Sequence, residues 1–151
     1  MELGIKAPDF SCSDHRDKTF SLADHLGKKV LLSFHPLAWT GVCAKQMQSL
    51  EQQAGTFADL ETEAVGISVD SVPTKSAWAD HLNITATRLL SDFWPHGGIA
   101  QRFRLFRETN GFSERANVVV DRKGNIAFYH IHDIKLVPDL DPIIEVLQGL
   151  P

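Results

Sequence analysis

Apolar and polar positions follow two rhythms along this chain, and the changes between them outline its elements. Val30-Leu31-Leu32-Ser33-Phe34 is an almost unbroken apolar run of strand length, as expected for a strand covered on both faces in the middle of a sheet. Ala64-Val65-Gly66-Ile67-Ser68-Val69 predicts a second strand of this type, and Leu89-Leu90 a short third. After Cys43 the period lengthens: Met47, Leu50, Ala54 and Phe57 recur at steps of four and three and predict one helix of about four turns, with Cys43 at the N-terminal end of its buried stripe. Pro73 opens a further helix carrying Ala77, Trp78 and Leu82 on one side, and a helical stretch surrounds Ala100 to Phe103. Leu140, Ile143, Ile144 and Leu147 mark an amphipathic helix begun by Asp141-Pro142.

Turn chemistry supplies the connections. Asp121-Arg122-Lys123-Gly124-Asn125 separates Asn117-Val118-Val119-Val120 from Ile126-Ala127-Phe128-Tyr129, which predicts an antiparallel hairpin. Phe10-Ser11-Cys12-Ser13, the polar Asp14-His15-Arg16-Asp17 and Thr19-Phe20 predict another at the N-terminus. Ser21-Leu22-Ala23-Asp24 is a capping-box pattern for a short helix that Gly27 would stop. Alternating β and α units with a late antiparallel hairpin imply an α/β fold, a mixed central sheet flanked by helices. No repeat, low-complexity tract or Gly/Ser linker divides the chain, so residues 1–151 are expected to form a single domain.

Composition narrows the function classes. With 151 residues, 43% of them hydrophobic and 23% charged, the chain can build one sizeable core. Fifteen basic against 19 acidic residues leave a net charge of −4, which argues against nucleic acid as a partner. The first residues lack a signal-peptide pattern, and no apolar run approaches the ~18 residues of a membrane span, so a cytoplasmic protein without a membrane partner is expected. Two cysteines, Cys12 and Cys43, are too few for a disulfide scaffold or a cysteine-only metal site. They stand as free thiols in a reducing compartment.

Cys43 has the more suggestive surroundings. His35-Pro36-Leu37-Ala38-Trp39-Thr40-Gly41-Val42-Cys43 joins the central strand to its helix, at the strand end where open α/β sheets gather function. If Thr40 or Gly41 caps that helix, Cys43 falls in its first turn, where free N–H groups and the positive dipole end favour a thiolate. An ordinary thiol with a pKa of about 8.5 is only about 3% ionised at pH 7, so such a setting strongly raises the supply of nucleophile. Pro36 would fix the loop and shield the sulfur, and the Thr40 hydroxyl would hydrogen-bond to sulfur and to a bound oxygen substrate.

Pro36-Leu37-Ala38-Trp39-Thr40-Gly41-Val42-Cys43 matches the P-x-x-x-T-x-x-C signature of peroxiredoxins, and the chain resembles that family over nearly its whole length, including Ala7-Pro8-Asp9-Phe10. Leu90-Ser91-Asp92-Phe93-Trp94-Pro95-His96-Gly97 is similar in particular to the one-cysteine alkyl hydroperoxide reductase E class. The resemblance implies a thioredoxin-like fold and a thiol peroxidase that needs no cofactor or metal. It assigns the family's active-site arginine to Arg115 in Glu114-Arg115-Ala116-Asn117. Cys43 would attack the terminal peroxide oxygen, with Arg115 and Thr40 holding the peroxide, and would become a sulfenic acid. The substrate would be hydrogen peroxide, an organic hydroperoxide or peroxynitrite, and a homodimer is implied.

The places where family members carry a resolving cysteine hold Gln48 and Ala77, and the C-terminal part has none. Cys12 lies in a hairpin the family does not normally use for resolution, so a one-cysteine cycle with an external thiol or redoxin as reductant is expected. Two positions depart from the family pattern: Gln46 replaces the usual glutamate, and His35 replaces the usual aromatic residue. A similar histidine in the eukaryotic one-cysteine subclass suggests that His35 tunes Cys43 or assists the incoming reductant; otherwise it only fills the aromatic slot. Trp39 is placed to wall the pocket, and Trp78 and Trp94 read as core or interface aromatics. His130 and His132 alternate on one strand face without a further ligand and read as packing residues, and Gly97-Gly98 as structural. A thioredoxin-type disulfide oxidoreductase is disfavoured because no C-x-x-C pair exists. The remaining alternative is a peroxide-sensing thiol protein that signals to a partner.

Overall fold

The computed structural model describes residues Met1 to Pro151. Its N-terminal hairpin pairs β1 (Ser11–Ser13) with β2 (Thr19–Ser21). Then follow β3 (Lys29–Phe34), α1 (Gly41–Gln52), α2 (Ala54–Asp59), β4 (Thr62–Ser68), α3 (Val72–Leu82), β5 (Arg88–Ser91) and α4 (Gly98–Arg102). The chain ends with β6 (Phe106–Arg107), β7 (Phe112–Ser113), β8 (Ala116–Val120), β9 (Ile126–Ile131) and α5 (Asp141–Gly149). Five strands form the central sheet in the order β5-β4-β3-β8-β9. β3, β4 and β5 run parallel, whereas β8 and β9 are antiparallel to their neighbours, giving the mixed sheet expected.

The period of two along the central strands sorts side chains onto two cores. Val30, Leu32 and Phe34 of β3, with Val65 and Ile67 of β4 and Val118 and Val120 of β8, face the core that holds Phe10, Phe20 and Phe103. Leu31 and Val119 face the other, where α1, α3 and α5 contribute Cys43, Met47, Leu50, Trp78, Ile143 and Leu147. The same alternation turns Ser33, Gly66 and Ser68 toward these helices. Gly66 is needed there: a Cβ would collide with the Met47 sulfur, so the bare backbone lets α1 lie close on β4.

Several expectations change. The long helix after Cys43 breaks at Gln53, whose φ of −97° and ψ of 11° leave the helical region, and Gly55 just beyond is a weak helix former. Ala54 is consequently only half-buried while Phe57 is fully inside. Ser21 makes no side-chain cap; its hydroxyl pairs with Ser11 across the hairpin at 2.6 Å, and Leu22–His25 forms a single 3-10 turn. Gly27 does end it, at φ 92°. On α3 the buried face holds Lys75, Trp78 and Ala79, and Ala77 is exposed. The small β6–β7 ladder had no sequence signal, because each strand has two residues.

Candidate active site

Strand β3 ends at Phe34, and the chain crosses from sheet to helix through residues 35–40. Thr40 is the N-cap of α1 with extended φ −114° and ψ 149°, so Cys43 is the third helical residue, where backbone N–H groups lack intrahelical acceptors. The Thr40 hydroxyl donates to the Leu37 carbonyl at 2.7 Å rather than to the cysteine sulfur; it closes the loop on itself, and its oxygen keeps acceptor capacity. Pro36 is buried at the base of the loop. Trp39 adopts φ 67°, a left-handed backbone unusual for a bulky residue, and its half-exposed ring lies against His81 with centroids 5.1 Å apart. Trp78 is the core tryptophan, and Trp94 is 84% exposed.

Helical spacing places Gln46 one turn after Cys43 on the same face. Its amide is the hub of the site. Gln46 Nε2 donates to Ser33 Oγ at 2.8 Å and to the Phe34 carbonyl at 3.1 Å, and its Oε1 accepts from Arg115 Nη1 at 2.7 Å. Arg115 immediately precedes β8, which pairs with β3 with Ala116 opposite Phe34, so the strand register carries its guanidinium to the start of α1. Arg115 is only 3% exposed; Nη1 also donates to Cys43 Sγ at 3.3 Å, and Nε donates to the Ile134 carbonyl at 3.0 Å. Cys43 is itself 1% exposed. A buried sulfur, a helix N-terminus and a guanidinium thus converge, an arrangement suited to hold a thiolate and then an oxyanion.

His35 is completely buried, its ring 5.5 Å from Trp78 and its Nε2 3.3 Å from Lys75 Nζ. Burial first, and then the Lys75 cation, hold its imidazole well below the usual pKa, so it is neutral. It therefore has no surface from which to assist an incoming reductant. Cys12 lies in β1, far along the chain from the loop, and burial pushes its thiol up to about 12, with Asp92 adding to the effect. His132 Nε2 pairs with Asn117 Nδ2 at 2.9 Å and stacks edge-on with His130, consistent with packing roles. Gly97 takes φ 70° beneath Phe106, where a Cβ would collide with the ring.

Ser33 and Asp70 were not singled out from the sequence. Ser33, the one polar residue in the run Val30 to Phe34, anchors Gln46, and that break in an apolar run was its signal. Asp70 follows β4, and its Oδ2 accepts from the Ala38 N–H at 2.8 Å, clamping the loop across 32 positions with nothing local to announce it.

Comparisons with known proteins point to one family. Residues 3–129 match the model of the AhpC/TSA family. Alkyl hydroperoxide reductase E of Mycobacterium tuberculosis is 40% identical over 129 residues, covering 85% of this chain and 84% of that protein. A chloroplastic 2-Cys peroxiredoxin BAS1 of Spinacia oleracea is 31% identical over 158 residues, covering 98% of this chain and 59% of the relative. Among solved structures, the reduced 2-Cys peroxiredoxin of Plasmodium vivax superposes with a TM-score of 0.90 at 25% identity, over 99% of this chain and 81% of the other. Peroxidoxin BcpB of Mycobacterium tuberculosis gives 0.87 at 25% identity, over 100% and 99%. With a thioredoxin-like fold and these relatives, the chain belongs to the AhpC/TSA family and is a peroxiredoxin, an oxidoreductase of the thiol peroxidase type.

Proposed function

We propose that this protein reduces hydroperoxides by a one-cysteine cycle in which Cys43 is the only sulfur that turns over. The 3.3 Å approach of Arg115 Nη1 to Cys43 Sγ at the first turn of α1 is the observation that carries the reading. The Cys43 thiolate attacks the terminal oxygen of the peroxide, the O–O bond breaks, sulfur is oxidised to the sulfenic acid, and the departing oxygen takes a proton to leave as water or an alcohol, or leaves as nitrite from peroxynitrite. Arg115 supplies a donor to the charge that develops on the departing oxygen, Thr40 accepts from the peroxide O–H, and Pro36 keeps bulk water from the sulfur. Gln46 holds Arg115 in place. A 1% exposed sulfur favours a slender electrophile, in keeping with hydrogen peroxide, peroxynitrite or the end of an organic hydroperoxide.

An external thiol or redoxin then condenses with the sulfenic acid, releasing water and forming a mixed disulfide that a second thiol resolves. The depressed ionisation of Cys12 supports leaving it out of the cycle. We place this chemistry in a cytoplasmic homodimer of one domain spanning 1–151, without cofactor, nucleic acid or membrane partner; no helix is long and apolar enough to cross a membrane. Stopped-flow oxidation of reduced protein by peroxide, with and without a recycling thiol, tests the reading. A second-order rate no faster than that of free cysteine overturns it, and rapid oxidation without turnover by any thiol makes the protein a peroxide sensor instead.

A further inference from the structure

Beside the cysteine site lies a buried polar chain that the peroxidase scheme leaves without a task. Lys75 is 0% exposed on the core face of α3, next to Trp78. Its Nζ donates to Ser68 Oγ at 2.6 Å and stands 3.3 Å from His35 Nε2. Ser68 Oγ donates in turn to Asp70 Oδ2 at 2.6 Å, and that same carboxylate oxygen accepts the Ala38 N–H at 2.8 Å. The chain therefore runs from a buried lysine to the loop that leads through Thr40 into α1 and Cys43. His35 Nδ1 is buried without a partner, so Lys75 is the one side chain that hydrogen-bonds the imidazole.

Burying a lysine without a carboxylate in direct contact is costly, and the structure does so one turn from a core tryptophan. As an ammonium, Lys75 donates hydrogen bonds to Ser68 and His35 and obliges the Ser68 hydroxyl to point at Asp70. As a neutral amine it can accept from Ser68, and the Asp70 clamp on Ala38 loses its second partner. Burial pushes Lys75 down to about 7, against the opposing pull of Asp70, Cys12, Cys43 and Asp92, so both forms are accessible near neutrality. Its neighbour His35 feels Lys75 and Arg115 as cations.

Building on the peroxidase reading of Cys43, we propose that Lys75 is a positioning residue for it: a buried ammonium coupled to the Cys43 thiolate that, through Ser68 and Asp70, holds the active-site loop. Cys43 thiol with neutral Lys75 and Cys43 thiolate with Lys75 ammonium differ by one relocated proton and no net charge. The second state tightens the clamp on the loop that leads into α1, and the ammonium and the thiolate attract one another. Ionisation of Cys43 and protonation of Lys75 then favour one another, and by linkage each must be visible at the other.

The test follows the Lys75 side-chain Cε resonance by NMR across pH 5–10 in a Cys12→Ser background, with and without Cys43→Ser, the peak being assigned by its loss in Lys75→Met. Coupling predicts that Lys75 titrates near neutrality and that removing the thiolate lowers its midpoint by about half a unit or more, a roughly threefold loss of proton affinity. An unchanged midpoint, or titration at the ordinary lysine value of about 10.4, overturns the proposal. Lys75→Met is expected to slow iodoacetamide alkylation of Cys43 at pH 6.5 about threefold or more, with little change at pH 9.5. An equal rate in a folded Lys75→Met protein counts against it, and if that variant does not fold, the NMR pair, which retains Lys75, decides. Neither readout uses peroxide, so slow peroxide oxidation with intact coupling overturns the peroxidase reading alone.

Discussion

Arg115 donates to the Cys43 sulfur at 3.3 Å although 72 positions separate the two residues. The pairing of β8 with β3 brings them together, and the Ile134 carbonyl and the Gln46 amide oxygen fix the guanidinium at two further points. In the proposed mechanism, replacing Arg115 by Met removes the donor to the departing oxygen. Stopped-flow rates of peroxide oxidation are expected to fall on the order of a hundredfold. Arg115→Lys should not restore them, because a single ammonium lacks the fork that reaches sulfur, amide and carbonyl at once. A loss of less than about threefold in Arg115→Met would take Arg115 out of the chemistry.

Gln46 tests the support beneath that contact. Gln46→Leu leaves Arg115 Nη1 with only the Cys43 sulfur as acceptor and removes the donor to Ser33 and the Phe34 carbonyl, all buried. Urea unfolding should show a loss of about 1–3 kcal/mol. Peroxide oxidation should slow as well, since the guanidinium loses an anchor. Normal stability in this variant would mean that water replaces the amide.

Cys12→Ser is expected to leave thiol-dependent turnover unchanged. After one equivalent of peroxide, intact mass should show the wild-type protein gaining one oxygen at Cys43. A loss of two hydrogens instead would reveal a Cys12–Cys43 disulfide and overturn the one-cysteine cycle.

Lys75 has a consequence for stability at alkaline pH. Its value of about 7 in the fold lies below the 10.5 of the unfolded chain, so between them the unfolded state binds more protons and stability rises with pH. Cys12, at about 12 in the fold against 9.0 unfolded, acts in the opposite sense only above pH 9. Urea midpoints should therefore increase from pH 7 to pH 9 in the wild type. Lys75→Met should abolish that rise, and a slope that survives would show that Lys75 keeps an ordinary proton affinity.

On the acid side the buried histidines set the direction. Burial holds His132 down to about 4, with His130 and Arg115 adding to it, and His35 and His15 are also depressed by burial. Each binds a proton more readily unfolded, so their stabilising share is complete above about pH 6.5 and declines on acidification, for His132 toward pH 4. His132→Gln should flatten part of the decline in urea midpoint between those values. A decline identical to wild type would show that His132 is protonated in the fold as easily as in the open chain.

Much of this was legible in the linear order of residues. The apolar run through Phe34 and the period of the first helix, with Pro36, Thr40 and Cys43 between them, are local features, and local spacing fixes where a strand ends and a helix begins. Sequence alone therefore singled out Cys43, its place in the first turn of a helix and the α/β class, and the resemblance to peroxiredoxins pointed to Arg115, which the structure sets beside the sulfur. Helical spacing could also have exposed Lys75, which lies three residues before Trp78 on the buried face, but a lysine is ordinarily read as solvated. Only the tertiary structure decided that Gln46 bridges Ser33 to Arg115, that Asp70 clamps Ala38, and that His35 turns inward to Lys75. Those contacts depend on strand register and on which face of the sheet each helix covers, and such long-range geometry has no counterpart in residue spacing.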